Sequence, residues 1–205
     1  SFSKFMIKAI DKIRPLPIAA VCPGHGPILR THWKKYVDLS EKYAKEALSL
    51  GEKPMVFIPY VSAYHNTSTV AEAIAKGVSE VPGVHVEIHD IENMSLEHME
   101  YYLSNCTGIL IGSPTINQNI LMPVYQLFAA INPLRDKGKL ASSFGSYGWS
   151  GEAEKMLETN ITNLKLKYYG ESLYIKFTPH EEGINKGIAF GKAFAGQMLK
   201  ELSAE

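Results

Sequence analysis

Charge of one sign, cysteine and long apolar runs are all scarce in this 205-residue chain. Lys plus Arg and Asp plus Glu number 21 each, and the two signs are interleaved. That balance argues against a nucleic-acid groove, a polybasic membrane patch or an acidic tail. Only two cysteines occur, Cys22 and Cys106; they make no disulfide framework and point to a reducing, cytoplasmic setting. No apolar run approaches the roughly 18–20 residues that span a bilayer. The N-terminus carries Lys4 and Lys8 in an amphipathic pattern, without the small-residue cleavage site of a signal peptide. Internal repeats and low-complexity tracts are missing too. Neither nucleic acid nor membrane is an expected partner.

What the chain does have is alternation. From Lys53 onward the pattern strand, loop, helix recurs five times. Apolar runs at 54–60, 84–88, 107–112, 139–144 and 173–178 read as strands, and the run at 107–112 is apolar enough for burial on both faces. Helical spacing places helices over 67–80, 95–105, 120–131, 151–163 and 184–202, with Ser95 as a cap. Strands alternating with helices imply an α/β fold, a parallel sheet with right-handed crossovers and helices on both faces. Five units fit a five-stranded, flavodoxin-like strand order. The first 50 residues break the pattern: a helix over 2–14, a short strand at 18–21 and a rigid Pro23-Gly24-His25-Gly26-Pro27 loop. Thr31 then caps a helix over 32–50, with Trp33, Tyr36, Val37, Tyr43, Ala44, Ala47 and Leu48 at helical spacing. A piece of about 30 residues cannot make its own core, so the expectation is the tail of a domain whose body lies upstream.

Three of the strands run into turns rich in Ser, Thr, Asn and Gly, and parallel neighbours would gather those turns at one sheet edge, where open α/β folds bind ligands. The first holds Ser62, Ala63, Tyr64, His65, Asn66 and Thr67 at a helix N-terminus, whose free amides suit a phosphate. With no Lys or Arg in that turn, it suits a monophosphate rather than a nucleoside triphosphate. The same residues would equally serve as an ordinary helix cap. The second turn is Ser113-Pro114-Thr115-Ile116-Asn117, polar and stiffened by proline. The third, Gly145-Ser146-Tyr147-Gly148-Trp149-Ser150-Gly151, offers backbone access and two aromatic rings for a flat heterocycle. The ligand so described is flavin mononucleotide (FMN). The expected site is Ser62, Ala63, Tyr64, Asn66, Thr67, Ser113, Pro114, Thr115, Asn117, Ser146, Tyr147, Gly148, Trp149 and Gly151.

Those three turns together resemble the flavodoxin-like domain of flavodiiron proteins, also known as A-type flavoproteins. Pro23-Gly24-His25-Gly26-Pro27 resembles the end of that family's metallo-β-lactamase-like domain. The resemblance implies a remnant of that domain at 1–30, a linker helix at 31–52 and an FMN-binding domain at 53–205. It implies an oxidoreductase that, when intact, reduces O2 to water or NO to N2O at a di-iron centre. It also implies rubredoxin or a similar electron donor, a head-to-tail homodimer, and His25 as an iron ligand in the intact protein. Two departures stand out. His65 occupies a position that is usually Gly, which implies strain in the phosphate turn. The other iron ligands are missing, and one His cannot hold two irons, so a fragment that only transfers electrons is expected. Two rivals remain: a stand-alone flavodoxin-like electron carrier, and a flavin-free scaffold that dimerises through the helix at 120–131.

Overall fold

The computed structural model describes residues 3–50 and 53–204, and of residues 46, 47, 49 and 50 the backbone alone. Phe2, the side chain of Ala47 and the 51–52 end of the expected linker lie outside the described residues. The chain divides into two compact units, with the boundary after residue 52.

In the first unit, α1 (Ser3–Ile13) buries Ile10 and packs on α2 (Trp33–Leu50). Arg14 links the two by ion pairs to Asp38, at 3.0 Å, and to Glu41. Two expectations fail here. Residues 18–21 form no strand; only Val21 bridges to Leu29, because the prolines at 15, 17, 23 and 27 remove ladder donors on either side. The second helix starts at Trp33 rather than His32, whose left-handed backbone (φ 59°) cannot continue into it.

The second unit holds β1 (Met55–Tyr60), α3 (Asn66–Ser79), β2 (His85–Asp90), α4 (Leu96–Asn105), β3 (Gly108–Gly112), α5 (Met122–Ala130), β4 (Leu140–Tyr147), α6 (Glu152–Asn163), β5 (Lys167–Tyr168), β6 (Leu173–Lys176) and α7 (Glu181–Leu202). The sheet order is β2-β1-β3-β4-β5, all parallel, with β6 also on β4. Five positions are thus filled by six strands. β5 takes the lower half of the last position, against Leu140 and Ala141, and β6 the upper half, against Phe144 to Tyr147.

Alternating side chains of the central strands feed two cores. Val56, Ile58, Leu110, Leu140 and Phe144 meet Val70 and Ile74 of α3 and Phe190 and Phe194 of α7. Phe57, Ile109, Ile111 and Ala141 meet α4, α5 and α6 through Met99, Leu103, Val124, Leu127, Leu157 and Ile161. Each fully buried Phe, Leu or Ile contributes roughly 1.5–3 kcal/mol, so the two layers clamp the sheet and fix which strand ends face the ligand edge. Ser95 caps α4 as expected, its Oγ accepting from the His98 amide at 3.3 Å. This is the flavodoxin-like, doubly wound architecture.

Candidate functional site

β1 and β3 send their following helices to opposite faces of the sheet, α3 to one and α5 to the other, which makes the β1/β3 edge the topological switch point. At that edge lies a cleft of about 530 Å³, within the range of small-molecule sites. Its wall comes from four connections: Ala63, Tyr64, Asn66 and Thr67 after β1; Pro114 to Gln118 after β3; Ser146 to Ser150 at the end of β4; and Phe177 after β6. No Lys or Arg is among these lining residues.

The first connection turns at His65, the residue before α3, which sits in the left-handed region (φ 60°, ψ −2°). The expected departure from Gly is therefore real in backbone terms. His65 uses its carbonyl as an anchor, accepting from the Thr69 amide at 3.0 Å and from the hydroxyls of Ser68 and Thr69 at 2.8 and 2.9 Å. The Ser68 amide donates to Ser62 Oγ at 3.2 Å. Ser62 thus caps the helix and does not line the cleft. The amides of Asn66 and Thr67 have no acceptor among the described residues and stand at the positive end of α3. The buried Thr67 hydroxyl shares a hydrogen bond of 3.0 Å with Ser146 Oγ, so the first and third connections meet there.

The second connection is a two-residue hairpin. Ile116 and Asn119 exchange both backbone bonds at 3.0 Å, and Asn117 and Gln118 carry positive φ (52° and 58°), as a type I′ turn requires. Asn119 does not cap the next helix; its Oδ1 accepts from the Ile120 amide and the Tyr125 hydroxyl instead. Ser113 is wholly buried, donating to the Pro114 carbonyl and accepting from the Leu121 amide, so it builds the turn without lining the cleft.

The third connection begins later than the sequence implied, because β4 runs on through Gly145 and Ser146 to Tyr147. Gly145 is required there. A Cβ at that position would lie 2.0 Å from the Ser113 carbonyl oxygen and 2.9 Å from the Tyr174 ring. The two connections are sewn together by Ser113 and Thr115 amides donating to the Phe144 and Ser146 carbonyls, and by the Ala153 amide donating to Thr115 Oγ1. Burial drives the Tyr174 phenol well above its ordinary value, with the neighbouring Ser143 hydroxyl offsetting part of the rise; both hydroxyls are buried and neither makes a hydrogen bond of good geometry. Gly151 precedes α6 and packs near the Tyr147 ring, outside the cleft wall.

The structure therefore brings Ala63, Tyr64, Asn66, Thr67, Pro114, Thr115, Asn117, Ser146, Tyr147, Gly148 and Trp149 together, and leaves Ser62, Ser113 and Gly151 in supporting places. Sequence reasoning missed Ile116, Gln118, Ser150 and Phe177 as lining residues. Phe177 gave no signal, since a Lys-Phe-Thr-Pro run reads as the end of a strand. His25 lies exposed in the first unit, and no group of three or more potential metal ligands occurs among the described residues. No helix there is long and apolar enough to cross a membrane.

The sequence pattern of the flavodoxin family matches residues 58–191, which takes in the end of β1, the other four strand positions and the cleft. The chain belongs to the flavodoxin family. Within it, the chain is 35% identical over 199 residues to the type A flavoprotein fprA of Rhodobacter capsulatus, covering 96% of this chain and 46% of that protein. Among solved structures it is similar to the Flv1 flavodiiron core of Synechocystis, with TM-score 0.69 and 27% identity over 97% of this chain and 49% of that one. Rubredoxin oxygen:oxidoreductase of Desulfovibrio gigas gives TM-score 0.71 and 26% identity over 98% of this chain and 50% of that one. The chain spans about half the length of the curated relatives it matches. It is a flavodoxin-like module of the kind flavodiiron proteins carry.

Proposed function

We propose that this chain binds FMN and passes electrons as the flavin module of a flavodiiron-type oxidoreductase. One observation carries the reading: the cleft joins unpartnered helix amides and neutral hydroxyls at one part of its wall to aromatic rings at another, without a cation. That donor set suits a monophosphate ester, held by the amides of Asn66 and Thr67 and the hydroxyls of Thr67 and Ser146. Tyr147, Trp149 and the 114–118 hairpin offer a flat ring its aromatic and backbone partners. Trp149 is 93% exposed and Tyr64 81%, a cost that a stacked ligand would remove. Bound FMN supplies the redox chemistry; the protein orients it and sets its surroundings.

In a longer protein of the relatives' length, the activity we propose is reduction of O2 to water or NO to N2O at a di-iron centre. The support is the likeness to the Desulfovibrio gigas oxidoreductase and the other flavodiiron proteins. There His25 would be one iron ligand, rubredoxin or a similar protein the donor, and a head-to-tail homodimer the working unit. The described residues do not by themselves fit two irons, since His25 stands apart from any ligand cluster.

Flavin titration followed by fluorescence quenching tests the FMN site. Trp149→Ala should weaken FMN binding about tenfold, the loss of a stacking contact of roughly 1–1.5 kcal/mol. Absence of any quenching with the unaltered chain would sink the reading, and unchanged affinity in the variant would remove Trp149 from it.

A further inference from the structure

Phe177 combines two features that are costly in themselves, and its ring is met by the Lys176 ammonium, 5.6 Å from the ring centroid. Its backbone is left-handed (φ 61°), a region that is a genuine outlier for a bulky side chain. Its ring is 57% exposed, although it lies directly after a strand of an ordered sheet. It is nevertheless held firmly: the Phe177 amide donates to the Tyr147 carbonyl at 2.7 Å, continuing the β4–β6 ladder beyond the Tyr147–Lys176 pair. That bond aims the ring at Gly148, where a Cβ would lie 3.4 Å from Phe177 Cε1. The ring also forms part of the cleft wall. Strained backbone and an exposed aromatic ring persist together where the surrounding structure imposes them, and such outliers cluster at ligand sites.

We infer that Phe177 is a ring-binding residue of the flavin cleft, a fourth aromatic wall beside Tyr64, Tyr147 and Trp149, which acts on the ring system and not on the phosphate. The inference rests on the FMN reading and adds a connection, the one after β6, that the family-like motifs do not include. Two features separate ring contact from mere loop positioning. The backbone bond to Tyr147 survives any side chain at 177, so loop three stays tied when the ring is removed. The phosphate-suited amides belong to α3, on a different connection, so a ring contact should weaken flavins with and without phosphate alike.

The experiment measures dissociation constants for FMN and riboflavin by fluorescence quenching, together with thermal unfolding of the flavin-free chain. It compares the unaltered protein with Phe177→Gly, which keeps the left-handed turn easily, and Phe177→Asn, which tolerates it. Both variants should melt no lower than the unaltered chain, yet bind FMN and riboflavin about fivefold more weakly, by the same factor for each. Phe177→Tyr should restore both affinities. Unchanged affinities in the Gly and Asn variants, or a loss confined to FMN, would overturn the assignment while leaving the FMN reading intact. If the unaltered chain binds neither flavin, both fall together.

Discussion

His65 shows how one residue can be chosen against its own backbone preference. A left-handed non-glycine costs roughly 1–2 kcal/mol, and here the strain sits where the three carbonyl-directed bonds of His65 pin the start of α3. Those bonds use the carbonyl alone, so His65→Gly keeps them and sheds the strain. Glycine adds freedom to the unfolded chain worth about 0.4–1 kcal/mol, which leaves a net gain of about 0.5–1 kcal/mol. Thermal unfolding should rise by about 2 °C, as expected for a chain of this size. A fall instead would mean that the imidazole itself stabilises the turn. This position was legible only through the family resemblance, in which His65 stands where Gly is usual; its left-handed backbone bears that out. Which hydroxyls face the cleft was not. Ser62 and Thr67 look alike in a string of letters, but one is used up by the Ser68 amide and the other meets Ser146 from a strand 79 residues away.

Among the elements, the turn between α5 and β4 is held by a single carboxylate. Asp136 is fully buried and accepts from Arg135 Nε and Nη2 at 2.9 and 2.7 Å, from Lys139 Nζ at 2.9 Å and from the Asn132 amide at 3.0 Å. Burial alone would raise its pKa, but the bonds from Arg135 and Lys139 outweigh this and hold it below the ordinary carboxylate value. Asp136→Ala should cost about 2–3 kcal/mol by urea unfolding, since the Asn132 amide loses its acceptor and the two cations lose their carboxylate; Lys139 keeps its bond to the Leu103 carbonyl, Arg135 its long one to the Ala130 carbonyl, and both some access to water, which limits the loss. The sign of the pH effect follows from a depressed folded pKa. The stabilisation is full above the ordinary Asp value near 3.9 and drains away as pH falls through the lower folded value. The acid limb of a stability–pH curve should therefore flatten in the Ala variant. The sequence showed the helices and central strands well, because 3.6-residue spacing and unbroken apolar runs survive any context. It misplaced the end of β4. Gly145 and Ser146 carry loop chemistry, and pairing with Tyr174 and Ile175 of β6 makes them strand, while crowding by Ser113 and Tyr174 requires glycine at 145. It passed over β5, whose two residues are too short to leave a pattern.

For the whole molecule, the consequence of two compact units is separability. The family match, both hydrophobic cores and every lining residue of the cleft lie after residue 52. A chain beginning at Lys53 should fold cooperatively and bind FMN within about threefold of the longer one, a difference of less than 1 kcal/mol. Titration and chemical unfolding of the two, side by side, check this. A much weaker shortened chain would assign the first unit a part in the site.

The divided last position of the sheet has a further effect. An exposed β edge invites stacking by a stranger's backbone, and the invitation is strongest where a long row of free amides and carbonyls lies in register. Here that margin is cut into a stub of two residues and a run of four, separated by a Gly170-Glu171-Ser172 turn that folds back so that the Glu171 carbonyl accepts from Ser142. A foreign segment could zip along neither half for more than a few residues before meeting the kink. The seam that left the strand hard to see in the letters also makes this margin of the sheet a poor template for a stranger's backbone.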